Sequence, residues 1–188
     1  MDIARFIEIV GAIIGLGYLY LEYKASFWLW SVGIVMSFFY IYIYYNGEFY
    51  ADMAINVYYL GANIYGLILW RKGSSSHTGE ESGFSHVPQK YIPILTLIFL
   101  SLWSAIYLIL IKVNSPVALG DSFTTALSIV AMWLMAKKHI DHWLLWIVVN
   151  IVSCGLYLWK GLYPTAVLFT VYTVVSVLGY FRWRRLIV

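Results

Sequence analysis

Asn56 and Asn150 are the residues of this sequence whose chemistry sits least easily with their surroundings, because each amide lies in the middle of a long apolar run. Both share a stripe with aromatic rings. Asp52, Asn56, Tyr59 and Asn63 recur at steps of four, three and four, which puts them on one face of a helix. Trp143, Trp146 and Asn150 recur at steps of three and four, and further stripes run through Trp30, Gly33 and Ser37, through Asp121, Thr125, Ser128 and Met132, and through Glu8, Gly11, Gly15 and Tyr18. An amide left unpaired in hydrocarbon costs roughly several kcal/mol, so these amides must bond a neighbouring helix or a polar solute. Rings and amides with few charges suit a flat, polar heteroaromatic solute, or a cation held over ring faces. The candidate substrate contacts are therefore Trp30, Ser37, Asn56, Tyr59, Asn63, Ser128, Met132, Trp143, Trp146 and Asn150.

Other chemistries find less support. No nucleophile, base and orienting group come together, so no catalytic residue and no enzyme is expected. The phosphate-cradling pattern Gly-x-x-x-x-Gly-Lys-Ser/Thr is missing, and with it any nucleotide-driven pump or other cofactor in the chain. His77 and His86 lie far apart in a polar loop and read as solvated rather than as metal ligands, as do His139, Asp141 and His142 at a basic helix boundary. The lone Cys154 reads as a buried structural thiol, Gly11 with Gly15 as a helix-packing pair, and Trp183, near the end of the last apolar run, as an interfacial anchor.

The elements that must carry these stripes follow from composition. With 62% hydrophobic and 11% charged residues and a mean hydropathy of +0.79, the chain has too little polar surface to cover a globule in water. Several runs reach the roughly 20 residues that cross a bilayer core of about 30 Å. They are continuous rather than alternating, so each must be a helix that satisfies its own backbone. The expectation is an all-α membrane protein with seven spans near Ile3–Tyr23, Phe27–Tyr45, Phe49–Trp70, Tyr91–Ile111, Asp121–Ala136, Trp143–Trp159 and Leu162–Phe181. Asp2 and Glu8 stand where a signal peptide would be basic, so the first run reads as a retained span.

A constant shift of 113 positions carries Trp30 onto Trp143, Lys24 onto Lys137, Tyr50 onto Tyr163, Gly66 onto Gly179 and Trp70-Arg71 onto Trp183-Arg184 without a gap. The repeat unit holds three helices and leaves one over, a three-plus-one-plus-three order. Its parts are a first repeat (1–72), a loop (73–90), a linker helix (91–112) and a second repeat with a short basic tail (113–188). Matching helices are separated by an even number of spans, so the repeats are parallel, an arrangement in which two halves can rock about a central site. A net charge of +3 arises from basic residues at helix ends, which membrane topology explains without a nucleic-acid partner. One side receives nine of these residues, Lys24, Arg71, Lys72, Lys90, Lys137, Lys138, Arg182, Arg184 and Arg185, and the other three, Arg5, Lys112 and Lys160. The bias predicts a cytoplasmic C-terminus and an outside N-terminus in the cytoplasmic (inner) membrane.

The motifs resemble those of PnuC-type vitamin transporters over nearly the whole chain. The resemblance is carried by Asp121, Thr124-Thr125-Ala126-Leu127-Ser128 and Trp133, by Trp143-Leu144-Leu145-Trp146 with Asn150, and by Lys160-Gly161-Leu162-Tyr163 and Gly179-Tyr180 with Trp183. In the first half Trp30 with Gly33-Ile34, and Tyr50-Ala51-Asp52-Met53 with Asn56 and Tyr59, match the same family. The likeness implies a plan similar to full-length SWEET carriers, a homotrimer in the lipid bilayer, and facilitated diffusion of a vitamin trapped by cytoplasmic phosphorylation. The nicotinamide riboside branch carries Gln at the position of Met132 and Gly-Trp-Tyr at Gly66-Leu67-Ile68, so the resemblance favours thiamine here, with nicotinamide riboside as the alternative. A reading of another class is a non-transporting membrane scaffold or subunit.

The charge bias makes the Arg71–Lys90 loop cytoplasmic. In a Cys154→Ala background, Ser75→Cys is expected to resist an impermeant thiol reagent in intact cells and to react after lysis. Ready labelling from outside would reverse the topology.

Overall fold

The structure, a computed structural model, describes residues 14–46, 50–74 and 83–187. Glu8, Gly11, Ser75 and His77, and the side chain of Asp52, lie outside the described residues. Seven helical segments are present: α1 (residues 14–23), α2 (Trp28–Asn46), α3 (Tyr50–Ser74), α4 (Ile92–Lys112), α5 (Ala118–Ala136), α6 (His142–Trp159) and α7 (Tyr163–Arg184). Among the described residues, five helices are long and apolar enough to cross a membrane: Met53–Arg71, Gln89–Lys112, Ala118–Ala136, His142–Trp159 and Tyr163–Arg184. The chain divides into two compact units at Gly83 and Phe84.

Local chemistry sets the helix ends. Pro93 and Pro164 stand in the first turns of α4 and α7, where a missing N–H costs nothing. Gly161, with φ +74°, follows α6 in the left-handed conformation, and Leu162 N–H closes the turn on Tyr157 O. The turn between α1 and α2 and the turn between α5 and α6 have one construction, although no glycine is present in either. Ala25 (φ 53°) and Lys138 (φ 59°) hold the left-handed position. Ser26 N–H bonds Leu21 O as His139 N–H bonds Leu134 O, and Trp30 N–H bonds Phe27 O as Trp143 N–H bonds Ile140 O. Every partner in the second turn lies 113 residues beyond its counterpart in the first.

Packing within each unit turns on one indole laid across one glycine. In the first unit α2 packs on α3, and the fully buried Trp30 ring lies where a Cβ on Gly66 would be, edge to face with Trp70 at 5.6 Å between ring centres. In the second unit α6 packs on α7. There the fully buried Trp143 ring lies over Gly179 and meets Trp183 edge to face at 5.7 Å. A small residue on one helix lets a large ring on the other come to backbone distance, the way helices associate where lipid supplies no hydrophobic drive.

Trp183 is thus no interfacial anchor. Its ring is wholly buried among Phe84, His142 and Trp143, because α7 carries it one turn beyond Gly179 on the face that meets α6. The outer helix of the second unit behaves differently. α4 buries none of its residues and touches α5 through Phe99 and Trp103 against Phe123, with Trp103 Nε1 donating to Ser122 Oγ at 3.1 Å. Its outward Ile94, Leu97, Ile98, Leu108 and Ile109 suit contact with lipid.

Gly66→Ala and Gly179→Ala each push a methyl group into an indole, an overpacking expected to cost about 1–3 kcal/mol. Thermal unfolding in detergent should show both as destabilised. Gly61→Ala, at a helical position open to space, should be neutral or slightly stabilising, and equal effects at all three sites would remove the packing argument.

Candidate functional site

The polar residues of the first unit are tied to one another. Asn63 on α3 donates Nδ2 to Tyr59 O at 2.8 Å and reaches Ser37 Oγ on α2 at 3.5 Å, while Ser37 Oγ donates to Gly33 O at 2.9 Å. Gly33 has no side chain because the Asn63 carboxamide occupies that space. Asn63 and Ser37 are both buried, and the Asn63 carboxamide oxygen has no protein donor. Asn56 and Tyr59, on the same stripe of α3, are half-buried, and the Tyr59 ring lies 5.7 Å from that of Tyr58.

The second unit repeats this link with its residues exchanged. Asn150 on α6 donates Nδ2 to Ser176 Oγ on α7 at 3.2 Å, and Ser176 Oγ donates to Tyr172 O at 2.8 Å. Ser37 and Asn63 fall by the 113-residue shift on Asn150 and Ser176, so the amide has moved to the other helix of the pair. Gly33 falls on Trp146, which is half-buried and whose indole N–H is buried with no acceptor in the protein. Trp146 and Asn150 lie one turn apart on α6.

The remaining expected contacts are placed by packing. Trp30 and Trp143 are the buried rings over the glycines. Ser128 Oγ turns back to Thr124 O at 2.8 Å, and Ser128 and Met132 are buried on α5. The structure therefore brings Asn63 to Ser37 and places Trp146 with Asn150.

Two loop readings are corrected. His86 was expected to be solvated, but its Nδ1 lies 2.9 Å from Asp141 Oδ1, and Asp141 Oδ2 accepts the Val87 N–H at 2.6 Å. Ser85 N–H bonds Lys138 O, Ile140 N–H bonds Ser85 O, and Ser85 Oγ lies 3.0 Å from His139 Nδ1. Residues 85–87 are thereby strapped to the α5–α6 turn. His142, read as solvated at a boundary, is fully buried, with Nδ1 bonded to His139 O and its ring 4.6 Å from that of Trp183. Paired residues 50 or more positions apart carry no local pattern, and sequence periodicity could not find this strap. A clearer signal lay in the repeated Gly-x-x-x-Trp spacing of Gly66 with Trp70 and Gly179 with Trp183, which marks the buried indole pairs.

Burial holds the His139 imidazole below its ordinary value, with the Ser85 contact and Asp141 opposing that shift and Lys137 and His142 adding to it. Burial likewise lowers the Lys138 ammonium. A histidine whose folded value is depressed resists protonation in the folded strap. Its contribution is present above the ordinary value near 6.5 and is lost as pH falls through the lowered one.

A groove of about 470 Å³ opens in the second unit beside the strap. It is lined by His86, Val87, Gln89, Ile92, Leu95, Thr96 and Phe99 on one side and by Leu127, Val130, Leu134, Asp141 and Leu145 on the other. None of the expected substrate contacts lines it.

Asp141→Ala removes the acceptor of the Val87 N–H. Hydrogen exchange at that amide is expected to quicken about tenfold, the effect of losing one charge-assisted bond at a half-exposed site. In the parent, exchange across 85–87 should quicken as pH falls below about 6, after correction for intrinsic rates. Unchanged exchange in both tests would mean that the strap does not depend on these side chains.

The geometry can be set beside known proteins. The family model described as nicotinamide mononucleotide transporter matches residues 5–185. The nicotinamide riboside transporter PnuC of Escherichia coli is 24% identical over 205 aligned positions, covering 95% of this chain and 84% of that protein. Its counterpart from Haemophilus influenzae is 23% identical over 157 positions, covering 82% of this chain and 69% of that protein. The crystal structure of the vitamin B3 transporter PnuC superposes with a TM-score of 0.72 at 25% identity, over 95% of this chain and 80% of that one. These matches span both units, and the protein is a multi-pass membrane transporter of the PnuC type rather than an enzyme. The chain belongs to the nicotinamide mononucleotide transporter family.

Proposed function

We propose that this protein carries nicotinamide riboside across the cytoplasmic membrane by facilitated diffusion, with cytoplasmic phosphorylation trapping the vitamin. The observation that carries the reading is the α6 face on which an indole N–H without an acceptor, Trp146 Nε1, stands one turn from Asn150. Asn150 commits its Nδ2 to Ser176, so its carboxamide oxygen is the atom left to meet a solute. A donor beside an acceptor suits a ligand with both kinds of group, such as the carboxamide and ribose hydroxyls of nicotinamide riboside, while the Trp146 ring offers a face to a cationic pyridinium. Asn56 and Tyr59 on α3 are proposed as further contacts. Trp30, Trp143, Ser37 and Asn63 are assigned to holding the helix pairs, and Ser128 and Met132 to α5 packing.

Nicotinamide riboside takes precedence over thiamine, because the relatives that match this chain bear nicotinamide riboside in their names. The substitution at Met132 had favoured thiamine, but that side chain is only 5% exposed. The reading also includes three-plus-one-plus-three parallel repeats with α4 as the odd helix, a C-terminus in the cytoplasm and a homotrimer. It is supported by the turns and indole–glycine contacts that recur 113 residues apart and by the basic-residue bias.

Purified protein in liposomes is expected to equilibrate nicotinamide riboside without ATP, and to bind it better than thiamine in a tryptophan-quenching titration. Asn150→Ala should weaken binding about five- to a hundredfold, the equivalent of roughly 1–3 kcal/mol for a lost hydrogen bond to the ligand. Trp146→Phe, which keeps a ring and loses the N–H, should weaken it by a similar factor. Trp159→Ala, at an exposed position ending α6, is the control and should bind like the parent. Tighter thiamine binding would reassign the vitamin. Parental binding by both folded α6 variants would move the site elsewhere.

A further inference from the structure

We propose that the groove between α4, α5 and α6 of the second unit is a lipid site, holding an acyl chain of an anionic phospholipid with its headgroup at the strap. Volume and lining argue for hydrocarbon. A space of about 470 Å³ walled by Leu95, Phe99, Leu127, Val130, Leu134 and Leu145 gives water few partners, whereas an ordered water needs two to four. Left empty, its walls would forfeit their dispersion contacts. α4, which forms the outer wall, buries none of its side chains, so the groove stands open to the bilayer rather than to a protein core.

The polar atoms of the groove gather at one end. His86, Gln89 and Asp141 stand at the strap, while Thr96 turns its hydroxyl to Ile92 O at 2.9 Å. Asp141 is already engaged by His86 and the Val87 N–H. Around this end stand three lysines, each with its ammonium over an aromatic ring: Lys90 over Tyr91 at 5.1 Å, Lys137 over Trp133 at 5.9 Å and Lys138 over Phe84 at 5.6 Å. Lys90 adjoins the lining residue Gln89, and Lys137 and Lys138 come one turn after the lining residue Leu134. Three ammonium groups against one engaged carboxylate leave the mouth positive. An apolar slot with a cationic mouth flanked by interfacial aromatics matches a phospholipid of negative headgroup better than a zwitterionic one.

The decisive test needs no variant. Full-length protein in phosphatidylcholine nanodiscs doped with phosphatidylglycerol bearing a diazirine in its acyl chain is irradiated, digested and mapped. Crosslinks are expected to concentrate in the segments 89–99 and 127–145, and to fall several-fold when the doped lipid is phosphatidylcholine with the same tail. Leu95→Trp, which fills the slot, should lose the crosslink and the rise in melting temperature that phosphatidylglycerol gives the parent, while still binding nicotinamide riboside. Lys90→Gln should narrow the preference for phosphatidylglycerol over phosphatidylcholine. Crosslinks scattered over all outward helix faces, or equal yields from the two lipids, would overturn the proposal. So would a Leu95→Trp protein that keeps its lipid response but falls apart into monomers, which would make the groove a contact between copies of this chain.

Discussion

Hydrocarbon offers no hydrogen-bond partner, and every polar group that a membrane helix turns inward must find one in the chain or in a solute. Hydroxyls meet this constraint locally. Ser37, Ser128, Thr170, Thr173 and Ser176 each donate to the carbonyl four residues earlier, which leaves their helices free to pack as if apolar. An amide has more hydrogen-bonding groups than one turn can satisfy, and Asn63 and Asn150 reach across to a serine on the neighbouring helix. The Trp146 N–H is left over. In a transporter a leftover donor beside an accessible amide is where a polar solute gains most from binding.

The two units share a scaffold and differ in what they hang on it. Indole over glycine, the edge-to-face tryptophan pair and the left-handed turn recur atom for atom in role, because each depends on backbone approach and tolerates little substitution. The amide–serine link tolerates exchange, since either helix can supply either partner across the same gap. Gly33 and Trp146 mark the larger divergence. One unit fills that space with the Asn63 carboxamide and the other carries an indole there.

The strap belongs to the second unit and ties the segment entering α4 to the α5–α6 turn through an aspartate, a serine and two backbone bonds. It places charged and titratable groups at the end of the helices, where water and headgroups can solvate them, and keeps the transmembrane faces free of ionised side chains. This division suits a carrier whose passage is lined by rings and amides. A neutral or singly cationic solute meets no fixed charge strong enough to trap it.

Hydropathy and repeat spacing alone determined that the chain is helical, where its spans lie, and that Trp30, Gly66 and Trp70 correspond to Trp143, Gly179 and Trp183, because helix length, lipid and duplication each leave a periodic trace in one dimension. The same spacing put Trp146 and Asn150 on one face. Only the tertiary structure decided which members of each stripe touch a neighbouring helix. Trp30 and Trp143 went to glycines, Asn63 went to Ser37, and Trp183 went to a buried aromatic cluster rather than the interface. A stripe fixes direction around one helix axis but carries no information about which other helix stands opposite, so packing residue and solute contact look alike until the partner is in place. The strap and the groove were invisible for a related reason: they join residues far apart in sequence through backbone bonds and shape, which no residue type announces.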